Sequence, residues 1–234
     1  MDTFWSTFHS IFFINAQTVL EFTIFSYAAM SWYYSVSIST DRSERSLSWI
    51  LTLFSSILCS FGCIPLVYQG FMTDWPIEVL YSNSSLSRTL VSCFCYYLIM
   101  DTAFIYYFYP TIGGYHHHIP YFIMFWISLH FECPGVFVCF MPMEISTIYL
   151  AWGKIWPNHR MDWMFGFTFF LGRIVLHSYL SWRLWLTRAS CPVYGLWLCS
   201  LVPLVTHAQW FVKWCLIMYK KTKRKKEETS KRQD

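Results

Sequence analysis

Charged residues are scarce in this sequence. Asp, Glu, Lys and Arg make up 13% of the 234 residues, whereas a soluble domain carries about 25%. Hydrophobic residues reach 56% and aromatic residues 22%. A chain with so few polar groups cannot cover a water-soluble globule, so the composition predicts an integral membrane protein.

Basic residues are also missing from residues 1–10, which contain no Lys or Arg. A cleaved secretory signal has a basic start and a small-residue cleavage site. We therefore expect the first hydrophobic segment to be retained. The nine cysteines fall mostly inside apolar runs, where cysteine is typical of small buried side chains. We expect neither a structural metal nor a disulfide.

Long apolar stretches recur along the whole chain. A helix needs about 20 residues to cross the hydrocarbon core of a membrane, so we expect an all-α protein with about seven transmembrane helices. Residues 110–114, PTIGG, predict a tight turn, and residues 132–135, ECPG, divide the long run that follows. The predicted spans are residues 12–36, 49–70, 88–109, 114–132, 135–155, 163–187 and 192–219.

Positive charge is concentrated after Met218, in the segment KKTKRKKEETSKRQD. Lys and Arg near spans mark the cytosolic side, so we expect a cytosolic C-terminus that attracts anionic lipid headgroups. Arg183 and Arg188 oppose this rule, because seven spans put them on the other side. The chain divides into residues 1–44, with the first span, a membrane domain over residues 45–219, and a basic tail over residues 220–234.

Ionisable side chains inside the spans indicate a site. A charge at the centre of a membrane helix costs about 2.5–3.5 kcal/mol on insertion, so such residues pair, line a cavity or act chemically. Asp101 lies deep in the third span, Glu144 in the fifth and Arg173 near the centre of the sixth. An ion pair between Arg173 and one of the acids is the simplest interpretation.

Three consecutive histidines, His116 to His118, begin the fourth span. Successive residues of a helix point about 100° apart, so at most two of the three can face one cavity. The tight turn holds them near the helix that carries Asp101. A histidine beside a carboxylate suits general-base or nucleophilic work, whereas a cluster of rings at headgroup depth is the alternative. Adjacent histidines converge poorly on a metal, and His177 and His207 are typical of helix packing.

The order of these polar groups resembles that of the TLC-domain family, the TRAM/Lag/CLN homology proteins, over roughly residues 45–219. The short length and basic tail are most similar to its small members. The motifs that carry the resemblance are Tyr97 with Asp101, the histidine doublet, Glu144 with Ser146, and Arg173 in a phenylalanine-rich span.

The resemblance implies a bundle of six helices around a membrane cavity, preceded by one extra span. It further implies a multi-pass protein of lipid metabolism or membrane lipid homeostasis, for which the endoplasmic reticulum is the favoured location and the plasma membrane the alternative. Acyl transfer would use acyl-CoA as co-substrate and no bound cofactor. The implied catalytic residues are His117, His118 and Asp101, with His116 if the register differs, and the cavity-supporting residues are Glu144, Ser146 and Arg173.

Two departures from the family pattern bear on activity. Residues 148–154 read IYLAWGK where the family often has Pro followed by Asn-x-Arg-Trp, and the acidic residues that follow the doublet in ceramide synthases are missing. The alternatives are therefore a ceramide-synthase-like acyltransferase and a non-catalytic, lipid-binding regulator of membrane composition. Other branches of the family suggest a third, a cargo or translocation accessory factor. The expected partners are membrane lipids and not nucleic acid.

Overall fold

A computed structural model describes residues 16–40, 43–110 and 117–230. Within these ranges every regular element is helical and no strand is present. Short 3₁₀ turns lie at Met141–Met143, Pro157–His159 and Arg188–Ser190, and a π-helical segment at Phe170–Leu176. The α-helices are α1 (Ala16–Ser37), α2 (Glu44–Leu47), α3 (Ile50–Gly62), α4 (Ile64–Thr73), α5 (Ile77–Leu80), α6 (Ser85–Phe108), α7 (His118–His130), α8 (Gly135–Phe140), α9 (Glu144–Ile155), α10 (Asp162–Phe169), α11 (His177–Leu186) and α12 (Leu196–Ser230).

Four helical segments of the described chain are long and apolar enough to cross a membrane. The expectation of an all-α membrane protein is therefore met, although seven spans are not confirmed. Helix is present in all seven predicted spans, but α1, α7 and the stretch from α10 to α11 are not among the four. With 13 residues, α7 rises only about 20 Å. The four segments are Glu44–Gly62, Ile77–Phe108, Gly135–Ile155 and Leu196–Arg224.

Helix α3 lies near the centre of the bundle and packs against α1, α6 and α9. Its side chains Ile50 and Leu53 form a buried cluster with Ala151 and Ile155 of α9. The predicted break between the fourth and fifth spans is confirmed, since α7 ends at His130 and α8 begins at Gly135.

Basic side chains gather at one end of the bundle. Lys154, at the end of α9, lies close enough to Arg45 and Arg160 to be repelled by their positive charges. Asp162, at the start of α10, accepts hydrogen bonds from Arg160 and from Lys221 of α12, whose Nζ lies 2.9 Å from Oδ2. We call this the basic end of the bundle.

Other contacts at the basic end join the ends of helices that are distant in the sequence. The Trp156 indole after α9 donates to the Ser39 carbonyl after α1, at 3.4 Å. The hydroxyls of Tyr109, after α6, and Tyr33, near the end of α1, lie 2.5 Å apart.

The opposite end of the bundle is joined in the same way. The Gly135 N–H at the start of α8 donates to the Ser82 carbonyl between α5 and α6, at 2.8 Å. The hydroxyls of Tyr81 and Thr187 are 2.9 Å apart and connect this loop to the end of α11.

Arg183 also lies at the opposite end, where an acid neutralises it. Its Nη1 donates to Asp74 Oδ2 at 3.0 Å, and its Nη2 donates to the Trp75 carbonyl at 3.1 Å. Asp74 and Trp75 have φ values of 55° and 52°, a left-handed conformation that costs about 1–2 kcal/mol per residue. The ion pair and the buried Trp75 ring therefore stabilise an unfavourable turn, and Arg183 adds no net charge to this end.

We expect Gly70→Ala to destabilise the protein. A Cβ at Gly70 would come 2.4 Å from Cε3 of Trp75, and Trp75 is 1% exposed, so the ring has no room to move. Overpacking of this kind costs about 1–3 kcal/mol. The midpoint of thermal unfolding, measured by gel filtration of heated protein in detergent, should fall. Met72→Ala, on the exposed face of the same helix, is the control, and an equal midpoint for both variants would contradict this packing.

Candidate active-site cavity

A cavity of about 640 Å³ lies among α3, α6, α7, α9, the π segment and α12. Ligand pockets in proteins range from about 300 to 1,000 Å³, so this one can hold a sizeable molecule. Most of its lining side chains are apolar. His116 lies outside the described residues. The other predicted site residues all line the cavity, namely Asp101, His117, His118, Glu144, Ser146 and Arg173.

The first polar group of the cavity consists of Asp101 on α6 and His118 at the start of α7. The His118 Nε2 lies 3.7 Å from Asp101 Oδ2, and the two residues are buried. On the other side of the imidazole, Nδ1 lies 3.0 Å from the Thr102 hydroxyl. The His117 ring packs edge-on against that of His118, with centroids 4.5 Å apart. The histidine beside the acid is therefore His118.

The second polar group is centred on Arg173. Its Nη2 donates to Glu144 Oε1 at 3.1 Å and to the Thr147 hydroxyl at 2.8 Å. Its Nε donates to the Ser146 hydroxyl at 3.1 Å. The predicted ion pair is thus confirmed with Glu144, while Asp101 lies beside His118. These contacts explain why Arg173 is tolerated in an apolar helical segment.

The π-helical segment Phe170–Leu176 carries Arg173 into the cavity. Gly172 lets this segment approach the start of α9 closely, because a Cβ there would lie 3.3 Å from the Cα of Met143. Such π turns occur often at functional sites, since they shift side chains relative to a regular helix. The sequence contains no pattern from which this π segment could have been predicted.

His177 and His207 extend the second polar group. Arg173 Nη1 lies 2.9 Å from His207 Nε2. The Nδ1 atom of His207 lies 3.3 Å from the Nδ1 atom of His177. On the other side of its ring, His177 Nε2 lies 2.8 Å from the Ser200 carbonyl oxygen. A guanidinium only donates and a carbonyl only accepts. His207 Nε2 must therefore accept and His177 Nε2 must donate, which leaves His207 Nδ1–H to donate to His177 Nδ1.

This directed chain makes both imidazoles neutral. The two histidines are buried, as helix packing predicts, but they also line the cavity and hold α12 against α11. Sequence reasoning missed that role, although His177 follows Arg173 by four residues. Pro203 interrupts the hydrogen-bond ladder of α12 beside Ser200.

Comparison with known proteins adds no family to this geometry. No protein-family model, no curated protein and no solved structure matches the chain. Among the described residues, no group of three or more His, Cys, Asp or Glu side chains is placed to hold a metal ion.

We expect Arg173→Leu to reduce the amount of folded protein in membranes. The substitution leaves Glu144 without its cation, and breaking a buried pair costs up to about 3–5 kcal/mol. The double variant Arg173→Leu/Glu144→Gln should recover part of the loss, because a pair removed whole leaves no lone charge. The measurement is the yield of monodisperse protein in gel filtration.

The matched control is Arg173→Leu/Asp101→Asn, which removes an acid that Arg173 does not contact. It should recover nothing. Equal recovery in both double variants would contradict the specific pairing with Glu144.

Proposed function

We propose that this chain is a seven-span, TLC-type membrane protein that handles lipid inside its cavity. The contacts between helix boundaries support seven crossings, because they alternate between the two ends of the bundle. The ends of α1, α6 and α9 and the Lys221 region of α12 meet at the basic end. The starts of α6 and α8 and the end of α11 meet at the opposite end.

The distribution of charge supports a cytosolic basic end. Lysine and arginine accumulate on the cytosolic side of membrane proteins, and Arg45, Lys154, Arg160 and Lys221 share one end here. Arg183 and Arg188 lie at the opposite end and still oppose this orientation, because the rule counts Lys and Arg and not net charge. The basic end, with the lysines and arginines of the tail, holds more of them. The orientation puts the C-terminus in the cytosol and the His118 end of the cavity near the cytosolic leaflet.

The function that the cavity supports best is acyl transfer to a lipid acceptor. The observation that carries the proposal is a buried imidazole beside a buried carboxylate, His118 and Asp101, on the wall of a largely apolar cavity. Apolar walls suit an acyl chain, and an imidazole with a nearby carboxylate suits a general base. Acyl-CoA is the acyl donor in this proposal.

The proposed reaction moves one acyl group and one proton. His118 takes the proton from a hydroxyl or amine of the acceptor, and the freed electron pair attacks the thioester carbonyl. The new bond to the carbonyl carbon forms, the carbon–sulfur bond breaks, and the imidazolium returns its proton to the leaving thiolate. Asp101 stabilises the imidazolium between these steps.

The Arg173 group supports the wall of the cavity in this scheme. Four side chains of the protein accept hydrogen bonds from its guanidinium, so the cation stabilises the fold around the reaction. The apolar majority of the lining also favours a second candidate, a non-catalytic protein that binds lipid and regulates membrane composition.

Lipid analysis of cells lacking this protein tests the function. Wild type should restore the lipid profile, and His118→Ala and Asp101→Asn should fail or lose at least about a hundredfold in rate, the lower range for a general base. His130→Ala, at the far end of the same helix, should restore the profile. Purified protein with labelled acyl-CoA and a membrane lipid extract should yield labelled lipid.

Full restoration by His118→Ala at equal expression would overturn the catalytic proposal. It would favour the non-catalytic regulator, provided that membrane lipid still copurifies with the variant.

Protease protection tests the proposed orientation. A tag at the C-terminus should be cleaved in sealed endoplasmic reticulum vesicles, and a tag at the N-terminus should be protected. Microscopy should find the protein in the endoplasmic reticulum, where acyl transfer to membrane lipids would require it. Cleavage of the N-terminal tag would contradict the seven-span arrangement. Wild-type protein at the plasma membrane would contradict the location in the endoplasmic reticulum.

A further inference from the structure

Thr102 follows Asp101 on α6 and contacts the second histidine of the described doublet. Its hydroxyl oxygen lies 2.6 Å from the Leu98 carbonyl oxygen and 3.0 Å from His118 Nδ1. The His118 imidazole therefore lies between Thr102 on one side and Asp101 on the other. Neither the sequence motifs nor the comparisons assign a role to Thr102.

The direction of these two hydrogen bonds follows from the atoms involved. A threonine hydroxyl has one hydrogen, and a carbonyl oxygen only accepts. The short contact to Leu98 must therefore contain that hydrogen, and a bond of this kind to the carbonyl four residues earlier is common for threonine in helices. What Thr102 offers to His118 is a lone pair, so Nδ1 has to carry a hydrogen and donate it.

We propose that Thr102 is a positioning residue that holds His118 in the tautomer with N–H at Nδ1 and a lone pair at Nε2. This assigns Nε2 as the reactive nitrogen of the cavity. The tautomer follows from the contacts of Thr102 alone, whereas the role of Nε2 as proton acceptor rests on the proposed function.

The position of Asp101 is consistent with this assignment. At 3.7 Å, its Oδ2 is too far from Nε2 for a hydrogen bond, so the carboxylate does not select the tautomer. An opposite charge within about 4–6 Å nevertheless favours a protonated imidazole. Thr102 sets which nitrogen is basic, and Asp101 stabilises the cation that forms there.

Two aromatic rings pack beside the His118 imidazole on the cavity wall. The His117 ring packs edge-on against the His118 ring, and the Tyr97 ring lies 6.1 Å away between centroids. The Tyr97 hydroxyl is 3.2 Å from the Thr52 hydroxyl. Tyr97 also hydrogen-bonds the Asp101 carboxyl group, and Tyr97, Asp101, His117 and His118 all line the cavity.

Solid-state NMR of the full-length protein in lipid bilayers tests the tautomer directly. With ¹⁵N-labelled histidine in alkaline buffer, where histidine is neutral, a protonated and a bare ring nitrogen have widely separated shifts. The signal of His118 is the one that disappears in His118→Gln. We expect a hydrogen on Nδ1 and none on Nε2 in wild type, and the reverse pattern would overturn the proposal.

Two variants separate the hydroxyl of Thr102 from its shape. Thr102→Val keeps the branched shape but removes the lone pair, so we expect His118 to shift toward the tautomer with Nε2–H, directed at Asp101. Thr102→Ser keeps the hydroxyl and should retain the wild-type pattern. An unchanged His118 signal in Thr102→Val would show that another contact sets the tautomer. If Thr102→Val does not fold, the spectra of wild type and Thr102→Ser still show which nitrogen of His118 carries the hydrogen.

An activity assay distinguishes failure of this inference from failure of the proposed function. If acyl transfer occurs, Thr102→Val should slow it about fivefold to tenfold, the equivalent of one net hydrogen bond, and Thr102→Ser should restore it. The expected tautomer without any transfer would overturn the proposed function alone. Transfer with a hydrogen on Nε2 of wild type would overturn this inference alone.

Discussion

The cost of a buried cation is the constraint on which this structure depends. Arg173 lies in an aromatic, apolar helical segment, and its guanidinium can remain charged there only if nearly every N–H has an acceptor. Those acceptors come from α9 and α12. Satisfying one side chain therefore brings three parts of the chain together, and the cavity forms around the place where they meet.

The π segment and Gly172 within it belong to the same constraint. A regular helix would aim Arg173 differently, and a larger residue at position 172 would keep the segment away from Met143. The two neutral histidines continue the network to the Ser200 carbonyl, so that the polar groups of this region are used up within the protein. Side chains whose hydrogen bonds are made within the protein are suited to a structural role.

The other polar group of the cavity differs in this respect. The contact between His118 and Asp101 is longer than a hydrogen bond, whereas the contact with Thr102 is of normal length. The two polar groups of this apolar cavity therefore differ in role. The Arg173 group holds the helices together, and the His118 group places an imidazole and a carboxyl group on the cavity wall.

The sequence by itself determined the class of protein and the set of polar residues worth attention. Composition and long apolar runs are enough for the first, because a soluble protein cannot be built from so few polar groups. Asp101, Glu144 and Arg173 could be identified because an ionisable residue in an apolar span is conspicuous. The turn after His130 followed from Pro and Gly, whose backbone preferences are local.

Only the tertiary structure decided which of these residues meet. The charges of Asp101 and Glu144 are equal, so nothing in the sequence could choose between them as the partner of Arg173. Thr102 is an ordinary residue in a helix, and its role depends on a histidine that arrives from another helix. His177 and His207 are likewise joined across α11 and α12. Pairing across helices depends on how the helices rotate and pack, and that information is spread over the whole chain and not over any motif.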